Sequence, residues 1–325
     1  MDLQFSTRFE CWTAAGTGSS LATEIRLGLD QAQPALPAKL LYDDRGSALF
    51  DRICETPEYY PTRTELALLD RVAPAIARAC GATELVELGS GAARKTHVLL
   101  DALGASRGRF RYVPFDVSAS TLRASAQRLL ARYPSLIIKG LTGDFTRDLG
   151  RLSPGPSRLV AFLGGTLGNL DDPEAISFLR AAAGLIDDSG HLLVAADLIK
   201  DRRTLHAAYN DAAGLTAAFN LNILTRLRRD LGARLDSGAF THDAFFCEEH
   251  SRIEMHLRAT RRTTVDLDPL GARLTLAAGD SIRTEISRKF APGSLERLFA
   301  QAGLDLVRLD IAPMRYALVL ARRRR

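Results

Sequence analysis

Apolar and polar positions alternate along this chain in blocks whose periodicity changes, and the blocks predict the elements. From Glu65 to Cys80 the apolar residues recur at helical spacing, and Leu85–Leu88 is then a short strand-like run, apolar except for Glu87, that stops at Gly-Ser-Gly. Helical and strand patterns alternate after that point: helix 92–103, strand 111–115, helix 119–132, strands 136–142 and 158–163, helix 173–186 and strand 191–198. Strands alternating with helices predict a parallel sheet with right-handed crossovers, whose ligands lie at the carboxyl ends of the strands. Beyond 198 the rhythm changes. Asp201–Leu231 reads as one long helical region, and Phe240–Val265 has the two-residue alternation of antiparallel strands. Helix 293–301 and strands near 305–310 and 315–321 return to the sheet as an edge hairpin. The predicted architecture is α/β: a mostly parallel, Rossmann-like sheet with an antiparallel edge hairpin (62–200 and 286–325), joined to an α+β substrate-binding lobe (1–61 and 201–285).

The strand tips carry the candidate chemistry. Gly89 and Gly91 follow a buried strand, and without Cβ atoms they allow a ligand to lie on the backbone while the next helix points its partly positive N-terminus at it. The same sequence is also compatible with an ordinary tight βα turn. The next strand ends on Asp116, placed to accept hydrogen bonds from a ribose, or else to cap the helix that starts near Ser118. Arg94 stands where a dinucleotide fingerprint has its third glycine, and Asp116 lies further along than the about 20 residues typical of NAD sites. The remaining tips are Asp144 with Phe145, and LGGTLGN, whose Gly164, Gly165 and Gly168 allow close backbone approach while Asn169 offers both donors and an acceptor. Read without a ligand, that loop is a flexible turn with Asn169 in an Asx-turn.

Composition narrows the class. The 325 residues are 46% hydrophobic and 25% charged, which suits a globular protein of one large or two ordinary domains. Neither a membrane-spanning run nor a signal-peptide core is present, so the expected compartment is the cytoplasm. Cys11, Cys54, Cys80 and Cys247 are scattered, with no CxxC, and read as free thiols rather than metal ligands or disulfides. Of the formal charge of +5, four charges are the terminal Arg322–Arg325, read as a solvated, frayed end. The body is nearly neutral without them, which argues against nucleic acid as partner.

Nine ordered segments then give a specific resemblance: LYDDRGSALFDRI, PEYYPTRTE, ELGSGAARKT, VPFDVS, GDFT, FLGGTLGNL, YNDAAGLTAAFN, IEMHLRA and RTEIS. In this order they resemble the S-adenosylmethionine (SAM) dependent histidine Nα-methyltransferases of ergothioneine biosynthesis, class I methyltransferases that trimethylate free L-histidine to hercynine. The resemblance implies SAM as cofactor, held by Gly89, Ser90, Gly91, Lys95, Asp116, Asp144 and Phe145, and no metal. It implies that the histidine carboxylate and amine lie near Tyr59, Asn169 and Tyr209, with Gly164 lending backbone and Tyr42 nearby. The imidazole goes to Glu285 and Ser287, with Met255 and Thr216 lining that end. Tyr42, Tyr59, Asn169 and Tyr209 are the implied catalytic set, acting by positioning, in a monomer that binds neither membrane nor nucleic acid. An ionised Glu285 accepts only, which suits an imidazole N–H and favours a charged or strongly polarised ring. Taken singly, Glu285 reads more readily as a surface salt-bridge partner of Arg283 or Arg288, and Met255 as a core residue on an alternating strand; the motif match reverses that preference. Related fungal enzymes act on a prenylated tryptophan, and a catalytically silent SAM-binding protein is the alternative of another class; Glu285 with Met255 argues against the first and the intact substrate-side residues against the second.

Overall fold

In the computed structural model, residues 8–13, 21–106 and 108–324 are described. The chain divides into two compact units, one of Met1–Gly16, Pro61–Ile199 and Phe290–Arg325, the other of Thr17–Tyr60 and Lys200–Lys289.

The first unit is built on strands β1 (Phe9–Thr13), β2 (Glu84–Leu88), β3 (Phe110–Asp116), β4 (Leu136–Thr142), β5 (Arg158–Phe162), β6 (His191–Asp197), β12 (Leu304–Ile311) and β13 (Tyr316–Arg323). They form one sheet in the order β1-β4-β3-β2-β5-β6-β13-β12, parallel from β1 to β6 and antiparallel at β6-β13-β12. Every residue of β2 and of β5 is buried, as a strand covered on both faces requires. Side chains alternate between two core layers: Leu85 packs with helices Tyr60–Cys80, Thr96–Ala102 and Ala119–Arg132, Val86 and Leu88 with helices Asp172–Ala183 and Pro292–Gln301. The chain runs outward from β2 through β3 to β4 and then returns to the other side of β2 as β5. That reversal opens a crevice at the carboxyl ends of β2 and β5, where an open α/β sheet binds its ligand.

The second unit has a three-stranded antiparallel sheet, ordered β11-β8-β7, from β7 (Phe240–Cys247), β8 (Arg252–Ala259) and β11 (Ser281–Arg288), and a hairpin of β9 (Thr263–Leu267) with β10 (Ala272–Leu276). Helix Leu215–Leu231 puts Phe219, Ile223, Leu224 and Leu227 into one core with Ile253, Met255 and Leu257 of β8. Asp43 ties helix Asp44–Ile53 to it, accepting from the Gly46 N–H at 2.8 Å, Asn222 Nδ2 at 2.7 Å and Arg229 at 3.0 Å. A Cβ at Gly46 would stand 1.7 Å from the Leu41 carbonyl oxygen, so the DRG segment allows only glycine there.

Four expectations change. The start of the chain does not belong wholly to the substrate lobe, because Phe9–Thr13 pair in parallel with β4. The boundary at 285/286 moves to Lys289, since β11 pairs with β8 along its whole length and carries Glu285 and Ser287 together. The long helical region is two helices, Arg202–Tyr209 and Leu215–Leu231, separated where Gly214 takes a left-handed φ of 69° and Asp211 accepts the Leu215 and Thr216 N–H groups. Finally, Arg322 and Arg323 are not frayed: they end β13, and Arg324 bonds Asp305 at 2.9 Å. Arg325 lies outside the described residues. No disulfide joins Cys11, Cys54, Cys80 or Cys247 in the structure.

Candidate functional site

The glycine turn after β2 is held from below and from the side. Glu87, buried in β2, accepts from Thr96 Oγ1 and from the Tyr112 hydroxyl, each at 2.6 Å, and burial pushes its carboxyl above the usual range despite these bonds. Gly89 and Gly91 have φ of 69° and 49°, left-handed values that glycine adopts without strain. Asp116 Oδ2 accepts the Gly91 N–H at 2.8 Å and Oδ1 accepts the Ser118 N–H at 2.9 Å. The helix N-cap is Ser118 itself, so Asp116 is a brace for the turn rather than a cap. Burial raises its pKa above the usual carboxylate value, and the backbone N–H groups of Ser118, Gly91 and Val117 oppose the rise. Ser90 Oγ is buried near enough to the Tyr112 phenol to temper that group's rise, yet has no partner in hydrogen-bond geometry. Phe145 packs edge-on against Phe162 at 5.4 Å between ring centroids and Phe178 at 5.9 Å, and a Cβ on Gly89 would meet its ring at 3.3 Å. Asp144 caps the short helix Phe145–Asp148, accepting from the Thr146 N–H at 3.0 Å. The six strand-tip residues expected to hold SAM thus form one wall, with an unpaired hydroxyl and a bare backbone on it, which fits a ribose-bearing ligand.

Lys95, the seventh, has a partner that the sequence reading missed. Its Nζ lies 2.8 Å from Oε2 of Glu65, a side chain with no exposure at all. Glu65 also accepts the Gly164 N–H at 3.0 Å on both oxygens and the Tyr316 hydroxyl at 2.7 Å. One carboxylate therefore links the second turn of helix Tyr60–Cys80, the N-cap Lys95 of helix Thr96–Ala102, the loop after β5 and strand β13. Gly164 and Gly165 both have left-handed φ, 81° and 71°. With its N–H committed to Glu65, Gly164 has its carbonyl, not its N–H, to offer a ligand. Asn169 ends the short 3-10 helix Thr166–Asn169 on the same loop.

In the second unit the structure brings together the other seven expected residues. Tyr42, Phe50, Phe219, Tyr59 and Tyr209 form a run of edge-on and tilted rings with centroid spacings of 5.4 Å (Tyr42–Phe219), 5.9 Å (Phe50–Tyr59) and 6.3 Å (Tyr59–Tyr209). Burial first, then the fields of Tyr209, Cys54, Tyr42 and Glu285, push the Tyr59 phenol well above its usual range, so Tyr59 is neutral. Glu285 pairs with Met255 across β11 and β8, which sets the two side chains on one face, and the register slips at Thr284 immediately before it. Thr284 is the buried anchor of that bulge: its hydroxyl lies 2.6 Å from Asn220 Oδ1 and 3.1 Å from the Met255 carbonyl. Asn220 Nδ2 donates to the His256 carbonyl at 2.9 Å and to His242 Nδ1 at 3.0 Å, so His242 carries its proton on Nε2 and donates it to the Tyr209 carbonyl at 2.9 Å. Burial lowers the His242 pKa, which keeps this ring neutral. Thr216 follows the Asp211 cap; its buried hydroxyl sits beside the Asp211 carboxylate without a partner in hydrogen-bond geometry. The Tyr209 hydroxyl donates to Ser287 Oγ at 2.7 Å. Its proton is engaged there, so toward a further group the Tyr209 oxygen is an acceptor.

No group of His, Cys, Asp and Glu among the described residues could hold a metal ion, and no described helix is long and apolar enough to cross a membrane. The family described as histidine-specific methyltransferase, SAM-dependent, matches residues 21–323. A histidine N-alpha-methyltransferase of Mycolicibacterium smegmatis is 43% identical over 291 residues, covering 90% of this chain and 91% of the relative. One of Mycobacterium tuberculosis is 42% identical over 289 residues, covering 89% and 90%. A 4-dimethylallyltryptophan N-methyltransferase of Aspergillus fumigatus is 26% identical over 315 residues, covering 92% of each chain. The crevice at the β2–β5 reversal, the E-L-G-S-G turn with its strand-tip acid, and a match over nearly the whole chain agree: this protein belongs to the SAM-dependent histidine-specific methyltransferases.

Proposed function

We propose that this chain transfers three methyl groups in succession from SAM to the α-amino nitrogen of free L-histidine, giving hercynine. The observation that carries the reading is the Glu285–Met255 pair, aimed by the Thr284 bulge and followed two residues later by Ser287 on the same strand. A carboxylate and a hydroxyl on one face can meet the two nitrogens of an imidazole, and a flexible thioether accommodates its ring. A prenylated indole has one N–H donor and no bare ring nitrogen, so it can meet only one of the two polar groups and leaves the other unmatched, at the cost of burying an unpaired polar group.

SAM supplies the electrophilic methyl group on its sulfonium. On our assignment, Asp116 accepts the ribose hydroxyls, the Gly89–Gly91 backbone and Ser90 take the amino-acid end with Lys95, and Asp144 with Phe145 receives the adenine. Gly164 and Asn169 are assigned to the amino-acid substrate, as are Tyr42, Tyr59, Tyr209, Thr216, Met255, Glu285 and Ser287. Catalysis is then chiefly positioning of nitrogen, carbon and sulfur in line, which can contribute roughly 7–11 kcal/mol. Tyr59 is neutral and orients the amine by hydrogen bonding; it is no phenolate base. The tyrosine faces suit an ammonium that gains methyl groups and loses N–H donors, through cation–π attraction of about 0.5–2 kcal/mol.

Mass spectrometry of histidine incubated with the protein and excess SAM tests this. The expected product is the trimethylated amino acid, with mono- and dimethylhistidine consumed as intermediates. Monomethylhistidine as sole end product, or faster turnover of tryptophan than of histidine, would refute the reading.

A further inference from the structure

Lys289, the residue after β11, is 3% exposed, and no role assigned above uses its cation. Its backbone N–H donates to the Ser251 carbonyl at 2.7 Å, which fixes the chain at this point. Its Nζ lies 2.8 Å from Ser287 Oγ, 3.3 Å from the Tyr209 hydroxyl and 5.1 Å from the centre of the Tyr209 ring. An ammonium has three hydrogens and no lone pair, so both contacts run from Lys289 to the hydroxyl oxygens. Tyr209 in turn donates to Ser287 at 2.7 Å, the direction expected when the more acidic phenol meets an aliphatic hydroxyl. Ser287 Oγ thereby accepts twice, which uses both lone pairs, and its one hydrogen is left to point at an acceptor.

We propose that Lys289 is a positioning residue that locks Ser287 as a donor, so that the site selects the neutral imidazole in one tautomer, with its N–H toward Glu285 and its bare nitrogen toward Ser287. The inference rests on the placement of the imidazole proposed above. Glu285 alone would favour the imidazolium; Lys289 is the counterweight, because a doubly protonated ring meets a donor at Ser287 and a like charge behind it. The titratable groups on the elements packed here are Glu285 on β11, Tyr209 on helix Arg202–Tyr209, Tyr59, and His242 behind Tyr209, while Arg288 on β11 and Arg252, Glu254 and His256 on β8 alternate with the Ser287–Ile253 and Glu285–Met255 pairs and fall on the other face of the sheet. Tyr59 titrates far above neutrality, Glu254 is held at about 2, and His242 is lowered by burial.

The test is calorimetric binding of histidine at pH 7.5 and pH 5.5 with saturating S-adenosylhomocysteine. With a ring pKa of about 6.5, selection of the neutral form weakens binding about tenfold between the two pH values. Triazolylalanine, which keeps one N–H and a bare nitrogen and gains no proton in this range, should bind equally at both. Lys289→Met should weaken histidine binding at pH 7.5 about three- to tenfold and reduce the pH effect below about threefold, while Lys289→Arg keeps it. Equal histidine affinity at the two pH values, or the same loss for triazolylalanine, would overturn the proposal, and neither measurement depends on a variant that folds. If Glu285→Ala leaves histidine affinity unchanged, the imidazole placement itself has failed; if that variant weakens histidine but the parent shows no pH effect, only the role of Lys289 has.

Discussion

Replacing Glu65 by glutamine tests how far one buried carboxylate holds Lys95, the loop after β5 and strand β13 together. The side chain is fully buried and receives Lys95 at 2.8 Å, the Gly164 N–H at 3.0 Å and the Tyr316 hydroxyl at 2.7 Å. An amide of the same shape keeps one acceptor oxygen but turns an N–H₂ toward groups that are themselves donors. It also leaves the Lys95 ammonium without this counter-charge. Removing one partner of a buried pair costs about 3–5 kcal/mol, and because Lys95 keeps 16% exposure the lower figure applies. For a unit of this size about 3 kcal/mol lowers Tm by roughly 6–12 °C. Because Gly164 loses the carboxylate that fixes its N–H, the loop after β5 should loosen too, and kcat/KM for histidine should fall more than Tm alone would suggest. The assay is thermal unfolding of parent, Glu65→Gln, Lys95→Met and the double variant, with steady-state kinetics on each. The double variant should be more stable than Glu65→Gln, since it removes the orphaned charge, and the cycle should give a coupling above about 1 kcal/mol. Additive effects, or a Glu65→Gln variant that melts within about 1 °C of the parent, would refute the argument.

Asp116→Asn should weaken SAM binding at least about tenfold by calorimetry, the loss expected when a hydrogen bond to a charged group goes, and Asp116→Ala should also lower Tm because it strips the acceptor from the Gly91 and Ser118 N–H groups. Glu285→Ala should lower kcat/KM for histidine by about 10–150-fold while SAM affinity holds, and should narrow the preference for histidine over phenylalanine, since the alanine no longer penalises a ring without an N–H. Glu254 is held at about 2, first by His256 and against the opposing effect of burial, with Arg252 adding to the lowering. A depressed carboxyl stabilises the fold above its ordinary pKa and loses that contribution as pH falls, so the urea-unfolding difference between parent and Glu254→Gln should be constant above about pH 5 and shrink between about pH 4.5 and pH 2.

What the sequence made legible is what the backbone dictates locally. The run from Leu85 to Gly91 announces a buried strand and a turn because an apolar segment and two glycines allow little else, and Asp116 is recognisable as the residue where the next strand ends. Strand β1 was not legible: as an edge strand with mixed exposure it is held by its parallel ladder with β4, and ladder hydrogen bonds leave no mark in side-chain pattern. The break between the two helices at 210–214 was present in YNDAAG, in the Asp211 cap and Gly214, but the helical residues on either side mask it. Glu65 shows the harder limit. Its partners Lys95, Gly164 and Tyr316 come from separate elements, so nothing near position 65 distinguishes a fully buried clamp from an ordinary acid in a helix's first turns.

The same limit separates the two kinds of residue on the substrate side. Glu285, Ser287 and Tyr209 lie in motif segments, whereas Lys289 and His242 lie outside them and bond to those residues, one to Ser287 Oγ and one to the Tyr209 carbonyl. Hydrogen-bond direction is the property they control. Lys289 has only donors, and His242, fixed in its tautomer by Asn220, has one donor and one acceptor already assigned. Residue types alone say that a hydroxyl at 287 can donate or accept; on the proposed placement of the imidazole, the cation behind it decides which, and with it the protonation state of the ring that fits.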